Sequence, residues 1–346
     1  MILTYKIKHN FNLSTELSQA KQIANFAIKN RNKLSSKEVS SIGLKSALSN
    51  QILRKYGRNK NCKSIKKVNL IVPNQSIKFN KGIMKLVPLN LTINIDRIPS
   101  FIKINQVELS PQIAYVSVEV KEAVAFPPTS FVGLDRNLTS HCAVLANLST
   151  GKTLKLGKSS LHLRNKYRNL RRNAQSKSQY KIAKRFSNKE TNIMKNLNHK
   201  ISKKIINYCL ENKSALVLEN LKGIRKQKSK GKKLNGMLHS WSFYQLESFL
   251  TYKALRYGVS IIKIDPHYTS QQCSKCGMIG IRNKKSFSCP NCKHNDHSDI
   301  NAAFCIARRG RLSDQDRDWL ESLFAFPNNG KQNTDKAQSE NQQCVL

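Results

Sequence analysis

Two close pairs of cysteines, followed within seven residues by an aspartate that opens a helix, constrain this chain more than any other stretch. Cys273-Ser-Lys-Cys276 and Cys289-Pro-Asn-Cys292 are knuckles that can face each other and supply four thiolates, the donor set of a closed tetrahedral zinc site. Gly277 and Pro290 suit the tight turns that such knuckles need. A full set of thiolates leaves no open position for water, so one zinc here is structural and the chemistry must come from other side chains. Asp299-Ile-Asn-Ala-Ala303 places a carboxylate at the start of the next helix.

The partner is indicated by charge. The chain carries 61 Lys+Arg against 20 Asp+Glu in 346 residues, a formal net charge of +41. So large an excess opposes compaction unless a polyanion neutralises it, and nucleic acid is the usual polyanion. Between Gly151 and Ser240 the only acids are Glu190, Glu211 and Glu219. Leu163, Tyr167, Leu170 and Ala174, and then Ile193, Leu197, Ile201, Ile205 and Cys209, recur at helical spacing and predict a basic helical hairpin over about 160–212. Arg164, Arg168, Arg171, Arg172, Lys181, Lys184 and Arg185 fall between the apolar positions, with almost no acid for pairing along the helix, and are the candidate phosphate contacts. Gly223 to Gly236 reads as a basic loop. No apolar run approaches the roughly 20 residues that span a membrane. The opening MILTYKIKHNF alternates as a strand does and predicts no signal peptide. Nine cysteines, four of them in CxxC pairs, fit a reducing compartment, and the expected location is cytoplasmic and nucleoid-associated, of prokaryotic type.

With acids this scarce, their settings carry information. Asp135 ends the apolar run Ser130-Phe-Val-Gly-Leu, and His141–Ala146 and Thr153–Leu156 extend it into an antiparallel meander. Glu219 ends a second run, Ala215–Leu218, directly after the basic helices. A third run, Val259–Ile264, follows a helix over Trp241–Tyr257 that Gly258 closes. Three meander strands, helix, strand, helix, strand and a last helix describe an α/β fold of the ribonuclease H type. In that layout Asp135 and Glu219 project from adjacent strand ends and Asp299 reaches them from the last helix. Three carboxylates converging in this way would hold Mg²⁺, two ions being the number that stabilises both the attacking water and the leaving oxygen of a phosphodiester. Asp296 is a rival for the third position; the Asn-Ala-Ala helix start favours Asp299.

Several motifs taken together carry a resemblance. Gly133-Leu-Asp135, Val217-Leu-Glu-Asn-Leu-Lys-Gly223, Trp241-Ser-Phe with Gln245-Leu246, and Asp265-Pro-His-Tyr-Thr-Ser-Gln271 run into the cysteine knuckles and Asp299-Ile-Asn-Ala-Ala303. On these the chain resembles the TnpB (OrfB) proteins of bacterial and archaeal insertion sequences, relatives of type V CRISPR effector nucleases. The resemblance implies a split RuvC nuclease over 126–310 with a zinc ribbon inserted at 268–296, and catalytic acids at Asp135, Glu219 and Asp299. It also implies a guide RNA from the transposon end that pairs with double-stranded target DNA. Arg136-Asn137 departs from the small residue and glycine common after the first acid, and His267 replaces a commonly basic residue.

Residues 1–125 show strand alternation at Tyr5–Lys8, Leu91–Ile95 and Tyr115–Val120. Between the first and second of these lie two helices, one carrying Leu17, Ala20, Ile23, Ala24 and Ala27, the other starting at the capping box Ser35-Ser-Lys-Glu38 and carrying Val39, Ile42 and Leu48. A β-barrel-like unit with a helical insertion at about 14–60 fits, and the resemblance implies wedge and recognition domains. The same helices also suit a helix-turn-helix. Residues 311–346 are rich in Asn, Gln, Ser and Lys after Phe326, and read as a disordered tail. Three functions remain open: an RNA-guided Mg²⁺-dependent DNA endonuclease of a transposable element, a guide-independent transposase or nuclease of the same fold, and a nuclease-dead RNA-guided DNA-binding regulator.

Overall fold

The computed structural model describes residues 1–31, 34–137, 141–221 and 243–312. The basic loop at Gly223–Gly236, Trp241 and nearly all of the expected tail lie outside the described residues. Two compact units divide the chain at Glu122 and Ala123.

In the first unit, β1 (Ile2–Lys8), β2 (Leu70–Pro73), β6 (Lys103–Leu109) and β7 (Ile113–Glu119) form an antiparallel sheet in the order β1-β7-β6-β2. A smaller antiparallel sheet joins β3 (Ile77–Asn80), β4 (Ile83–Leu86) and β5 (Leu91–Asn94). Period-two alternation turns Ala114, Val116 and Val118 inward, where they share a core with Ala20, Ile23, Ala24 and Ala27 of α1 (Ser14–Lys29) and Leu48, Ile52 and Leu53 of α2 (Ser46–Gly57). The helix expected to start at Ser35 is interrupted. Ser35 caps a 3₁₀ turn over Ser36–Ile42, Gly43 leaves it at φ +85°, and α2 begins only at Ser46. The left-handed backbone at Gly43 ends the turn, a conformation glycine adopts without the Cβ penalty.

The second unit is built on a five-stranded sheet in the order β10-β9-β8-β11-β12, from β8 (Ser130–Arg136), β9 (Ala143–Asn147), β10 (Thr153–Leu156), β11 (Ser214–Glu219) and β12 (Ile261–Ile264). The first three run antiparallel; β11 lies parallel to both β8 and β12. This is the meander-then-crossover order of the ribonuclease H layout. Strands β8, β9 and β11 are buried along nearly their whole length because helices cover both faces, which is why they read as continuous apolar runs. On one face Val132, Leu134, Leu145, Leu216 and Leu218 pack against Ile201, Ile205 and Cys209 of α4 (Tyr180–Glu211) and Leu246, Leu250 and Ala254 of α5 (Phe243–Tyr257). The other face receives α6 (Ser298–Arg311) through Val144, Ala146, Val217 and Ile264. Helix α3 (Ser159–Ser176) and α4 make the expected hairpin, turning at Ser178 with φ +54°. Gly258 closes α5 at φ +73°, and a Cβ there would meet the Val124 carbonyl at 2.4 Å. Among the described residues, no helix is long and apolar enough to cross a membrane.

Candidate active site and metal centre

Strand periodicity decides where the acids point. Gly133 and Asp135 are two apart on β8, and Val217 and Glu219 two apart on β11, so both acids share the face covered by α6. The register Leu134↔Leu218 sets Asp135 beside Glu219 at the ends of neighbouring parallel strands. Helix α6 approaches β8 so closely that a Cβ on Gly133 would lie 2.0 Å from the Ala303 carbonyl and 2.5 Å from the Ala307 nitrogen. Only glycine in the strand, facing Ala303 and Ala307 in the helix, permits this crossing. From Ala303 back to Asp299 the helix rises about 6 Å, and from Gly133 on to Asp135 the strand advances about 6.6 Å. One close approach therefore brings Asp299 level with Asp135.

Each acid has a dedicated partner. Asn137 Nδ2 donates to Asp135 Oδ2 at 2.8 Å, and Thr269 Oγ1 donates to Glu219 Oε1 at 2.6 Å. Lys285 Nζ lies 2.6 Å from Asp299 Oδ2, and the Arg282 guanidinium 3.4 Å from Oδ1. Asp299 is only 1% exposed and Asp135 9%. Burial, reinforced by the neighbouring Glu219 and Asp299 charges, pushes the Asp135 carboxyl up to about 7. Burial also raises Glu219, against the pull of Thr269, Arg136, Arg309 and Arg282. Arg136 is buried, bonded to Glu247 at 2.8 Å and to the Glu219 carbonyl, so the residue that departs from the family pattern ties the two strand ends together. His297 caps α6, its Nδ1 accepting from the Asp299 amide at 3.3 Å. Asp296 turns away: its carboxylate accepts from the His297 amide at 2.6 Å and sits 3.8 Å from His294.

Burial and the Glu219 and Asp299 charges beside it raise Asp135, an arrangement that a cation would relieve, and hard carboxylate oxygens suit Mg²⁺. The donor chemistry and the cationic side chains already drawn to Asp299 fit such an ion, with Asp135, Glu219 and Asp299 as its holders. The cost of the buried charge is measurable without activity. Asp135 ionises near 4 in the unfolded chain but only at about 7 in the fold. Its ionisation therefore costs nothing below pH 4, weakens the fold increasingly from pH 4 to 7, and holds that cost above 7. Asp135→Asn should melt several degrees above the unmodified chain in Mg²⁺-free buffer with zinc retained at pH 8, and the gap should close at pH 4. Equal melting of the two at pH 8 would contradict this.

The four cysteines come together as spaced. Their sulfurs lie within 4.8 Å of one another, with Cys273–Cys292 at 3.6 Å and Cys276–Cys289 at 3.5 Å. Tetrahedral zinc with bonds near 2.3 Å sets sulfurs about 3.8 Å apart, so the site fits one zinc. Gly277 makes the first turn at φ +81°; in the second, Lys293 takes the left-handed position at φ +57°. The three-stranded ribbon of β13 (Ile281–Asn283), β14 (Ser286–Ser288) and β15 (Asn295–His297) buries Phe287 against Cys273 and Cys289. Asn301 joins the ribbon to α6: its Nδ2 donates to the Gln272 carbonyl at 2.7 Å, and its Oδ1 accepts from the Ser274 amide at 2.9 Å.

The basic hairpin divides by burial. Arg172, Lys181, Lys184 and Arg185 are exposed, and Arg168 is half-buried. Arg164 is a correction: at 6% exposure it lies inside the unit beside Cys142, and burial lowers its guanidinium to about 10. Arg171 is half-buried and paired with Glu190, tying α3 to α4. Sequence reasoning missed Thr269, Asn137, His297, Arg282 and Lys285. Thr269 and Asn301 stood inside motifs already noted, but their roles depend on contacts between segments.

Residues 243–306 match the Cas12f1-like, TNB domain family. Cas12f1 of Sulfoacidibacillus thermotolerans, a CRISPR-associated endodeoxyribonuclease, is 37% identical over 114 residues, 32% of this chain and 26% of its own length. A TnpB-like protein of Aquifex aeolicus is 33% identical over 114 residues, 30% of this chain and 37% of its own. The chain thus spans about a quarter to a third of the length of these relatives. In fold, a cryo-EM structure of a Cas12f1-sgRNA-target DNA complex matches 85% of this chain and 81% of that one, with a TM-score of 0.52 at 16% identity. The resemblance to TnpB proteins read from the motifs holds.

Proposed function

We propose that this TnpB-like chain is an RNA-guided, Mg²⁺-dependent DNA endonuclease of a transposable element. The observation that carries the reading is the meeting of Asp135, Glu219 and Asp299 from β8, β11 and α6, with Asp135 and Asp299 buried and Glu219 half-buried, in a chain of formal charge +41. In this reading Asp135, Glu219 and Asp299 would hold Mg²⁺, two ions being the number that would stabilise both the attacking water and the departing oxygen of a phosphodiester. Asn137 and Thr269 fix two of the carboxylates, and the buried Arg136 keeps β8 and β11 in register at their ends. The structural zinc holds the ribbon, and Asn301 holds the ribbon to α6. Residues 1–122 act as the wedge and recognition unit. Guidance by RNA is supported by the likeness in fold to Cas12f1, whose structure contains sgRNA and target DNA. A nuclease-dead regulator is disfavoured, because such a protein would carry the cost of burying Asp135 and Asp299 beside Glu219 without using them.

Sequencing the RNA that copurifies with the chain tests guidance. A discrete RNA of more than about a hundred nucleotides is expected, as is protection of phosphates along it. Nuclease activity from protein free of RNA would instead favour the guide-independent transposase.

The exposed part of the hairpin supplies a separate expectation. Lys181→Gln, Lys184→Gln and Arg185→Gln together should weaken RNA or DNA binding with little change in sequence selectivity, since phosphate contacts position without specifying. The slope of log affinity against log salt should become shallower by roughly one unit or less for each phosphate that is no longer neutralised. An unchanged slope would place this face in solvent.

A further inference from the structure

A cavity of about 370 Å³ opens between the edge strand β10 and the C-terminal half of α4, away from the acids. Leu154 and Tyr208 supply apolar surface, and Lys200, Lys203, Lys204 and Asn207 line it from one stripe of the helix, with Glu211 a turn beyond Asn207. Steps of three and four residues stack these side chains one above another.

The charge arrangement is costly for an isolated helix. Lys200 is spaced three and four residues from Lys203 and Lys204, and like charges at those spacings destabilise a helix. Lys200, Lys203 and Lys204 are exposed, and none forms an ion pair among the described residues. The field of Lys203 reaches the other side of α4. Lys253, bonded to the His199 carbonyl at 2.7 Å and to Ser202, is lowered to about 8 by burial first and by Lys203 second. An anion seated among these lysines relieves the repulsion.

We infer that this cavity seats one nucleotide of a single-stranded nucleic acid, its phosphate between Lys203 and Lys204 and its base against Tyr208 and Leu154. From Lys204 to Tyr208 is one helical turn, about 6 Å of rise, which suits the reach from a phosphate to the base it carries. Lys200, a turn earlier, meets the adjoining phosphate. A cationic track beside an aromatic ring is the usual means of holding a single strand without reading every base. Asn207 and Glu211 offer polar groups at the base end, the amide to either kind of edge group and the carboxylate to an exocyclic amine.

The inference rests on the nucleic-acid reading above, and the test keeps the two apart. The full chain is irradiated with single-stranded RNA and DNA oligonucleotides carrying a photoreactive uracil, and crosslinked peptides are mapped by mass spectrometry. A crosslink within 200–211, centred on Tyr208, is expected, and the stronger oligonucleotide identifies the sugar. Lys203→Gln with Lys204→Gln should weaken binding about three- to tenfold and make the salt slope shallower by about one to two units. Tyr208→Leu should weaken binding about tenfold with the slope unchanged, while Tyr208→Phe, which keeps both ring and packing, should bind as the unmodified chain does. Crosslinks only elsewhere, with both the lysine variant and Tyr208→Leu binding normally, would overturn the pocket and leave the nuclease reading standing. Failure of the unmodified chain to bind any oligonucleotide would overturn both.

Discussion

Alanine at Asp135, Glu219 or Asp299 should each abolish Mg²⁺-dependent cutting, by at least about a thousandfold, as when an essential stabilising group is removed, while nucleic-acid binding stays largely intact. The two properties separate because they have different sources. Affinity is spread over many exposed basic residues, and removing one carboxylate near phosphates relieves some repulsion. Cutting has no such redundancy, since Asp135 and Glu219 project from adjacent strand ends and Asp299 alone is brought to them by the close approach of Gly133 and Ala303. Asp296→Ala should be far milder, because that carboxylate is turned to His294 and the His297 amide. Cleavage of a labelled duplex and filter binding on one preparation would distinguish these outcomes. Loss of cutting in Asp296→Ala with activity kept in Asp299→Ala would move the third acid; full activity in all three alanine variants would end the nuclease reading.

Removal of zinc is expected to have the second largest effect, and to act at a distance. The ribbon buries only Phe287 with Cys273 and Cys289, too little apolar surface to fold a segment of that length alone, so metal binding supplies its folding energy. Chelation, or Cys276→Ser or Cys289→Ser, should unfold the ribbon first. The damage then passes to the acids by a defined route. Lys285 and Arg282, which contact Asp299, lie on the ribbon, and Asn301 fastens α6 to the first knuckle. Cutting should therefore fall severely, while the five-stranded sheet keeps its protection from hydrogen exchange. Asn301→Ala should reproduce part of this loss with zinc still bound, because it leaves the Ser274 amide and the Gln272 carbonyl without that partner. Metal analysis should find about one zinc per chain. A soluble, fully active, zinc-free preparation would contradict the account.

The pattern of what was legible follows the range of the interactions. The meander, the crossover and the ends of β8 and β11 could be read because apolar runs buried on both faces and stopped by a carboxylate are local signals. The cysteine knuckles were equally plain, since their spacing is itself the ligand geometry. The inward position of Arg164, beside Cys142, is not legible because a helical wheel of Lys and Arg does not mark which of its positions turns in. The helix expected from Ser35 is too long because the apolar spacing of Val39, Ile42 and Leu48 runs on across Gly43, whose left-handed φ of +85° ends the turn. Thr269 and Asn301 could be seen as motif letters but not as parts, since each acts on a segment 27 or more residues away in sequence. The Gly133 approach is of the same kind: glycine before Leu134 and Asp135 has a reason only once α6 is laid across it.

The most direct test is cutting that follows the RNA. The chain is reconstituted with its copurified RNA and with a copy whose guide segment is replaced, and each complex is offered labelled duplexes matching either sequence, with Mg²⁺ and without added Mg²⁺, zinc being retained throughout. The account predicts that each complex cuts only the duplex matching its own guide, only in Mg²⁺, and that Asp135→Ala binds the same duplex without cutting it. Cutting that ignores the guide, or that persists in Asp135→Ala, would contradict it.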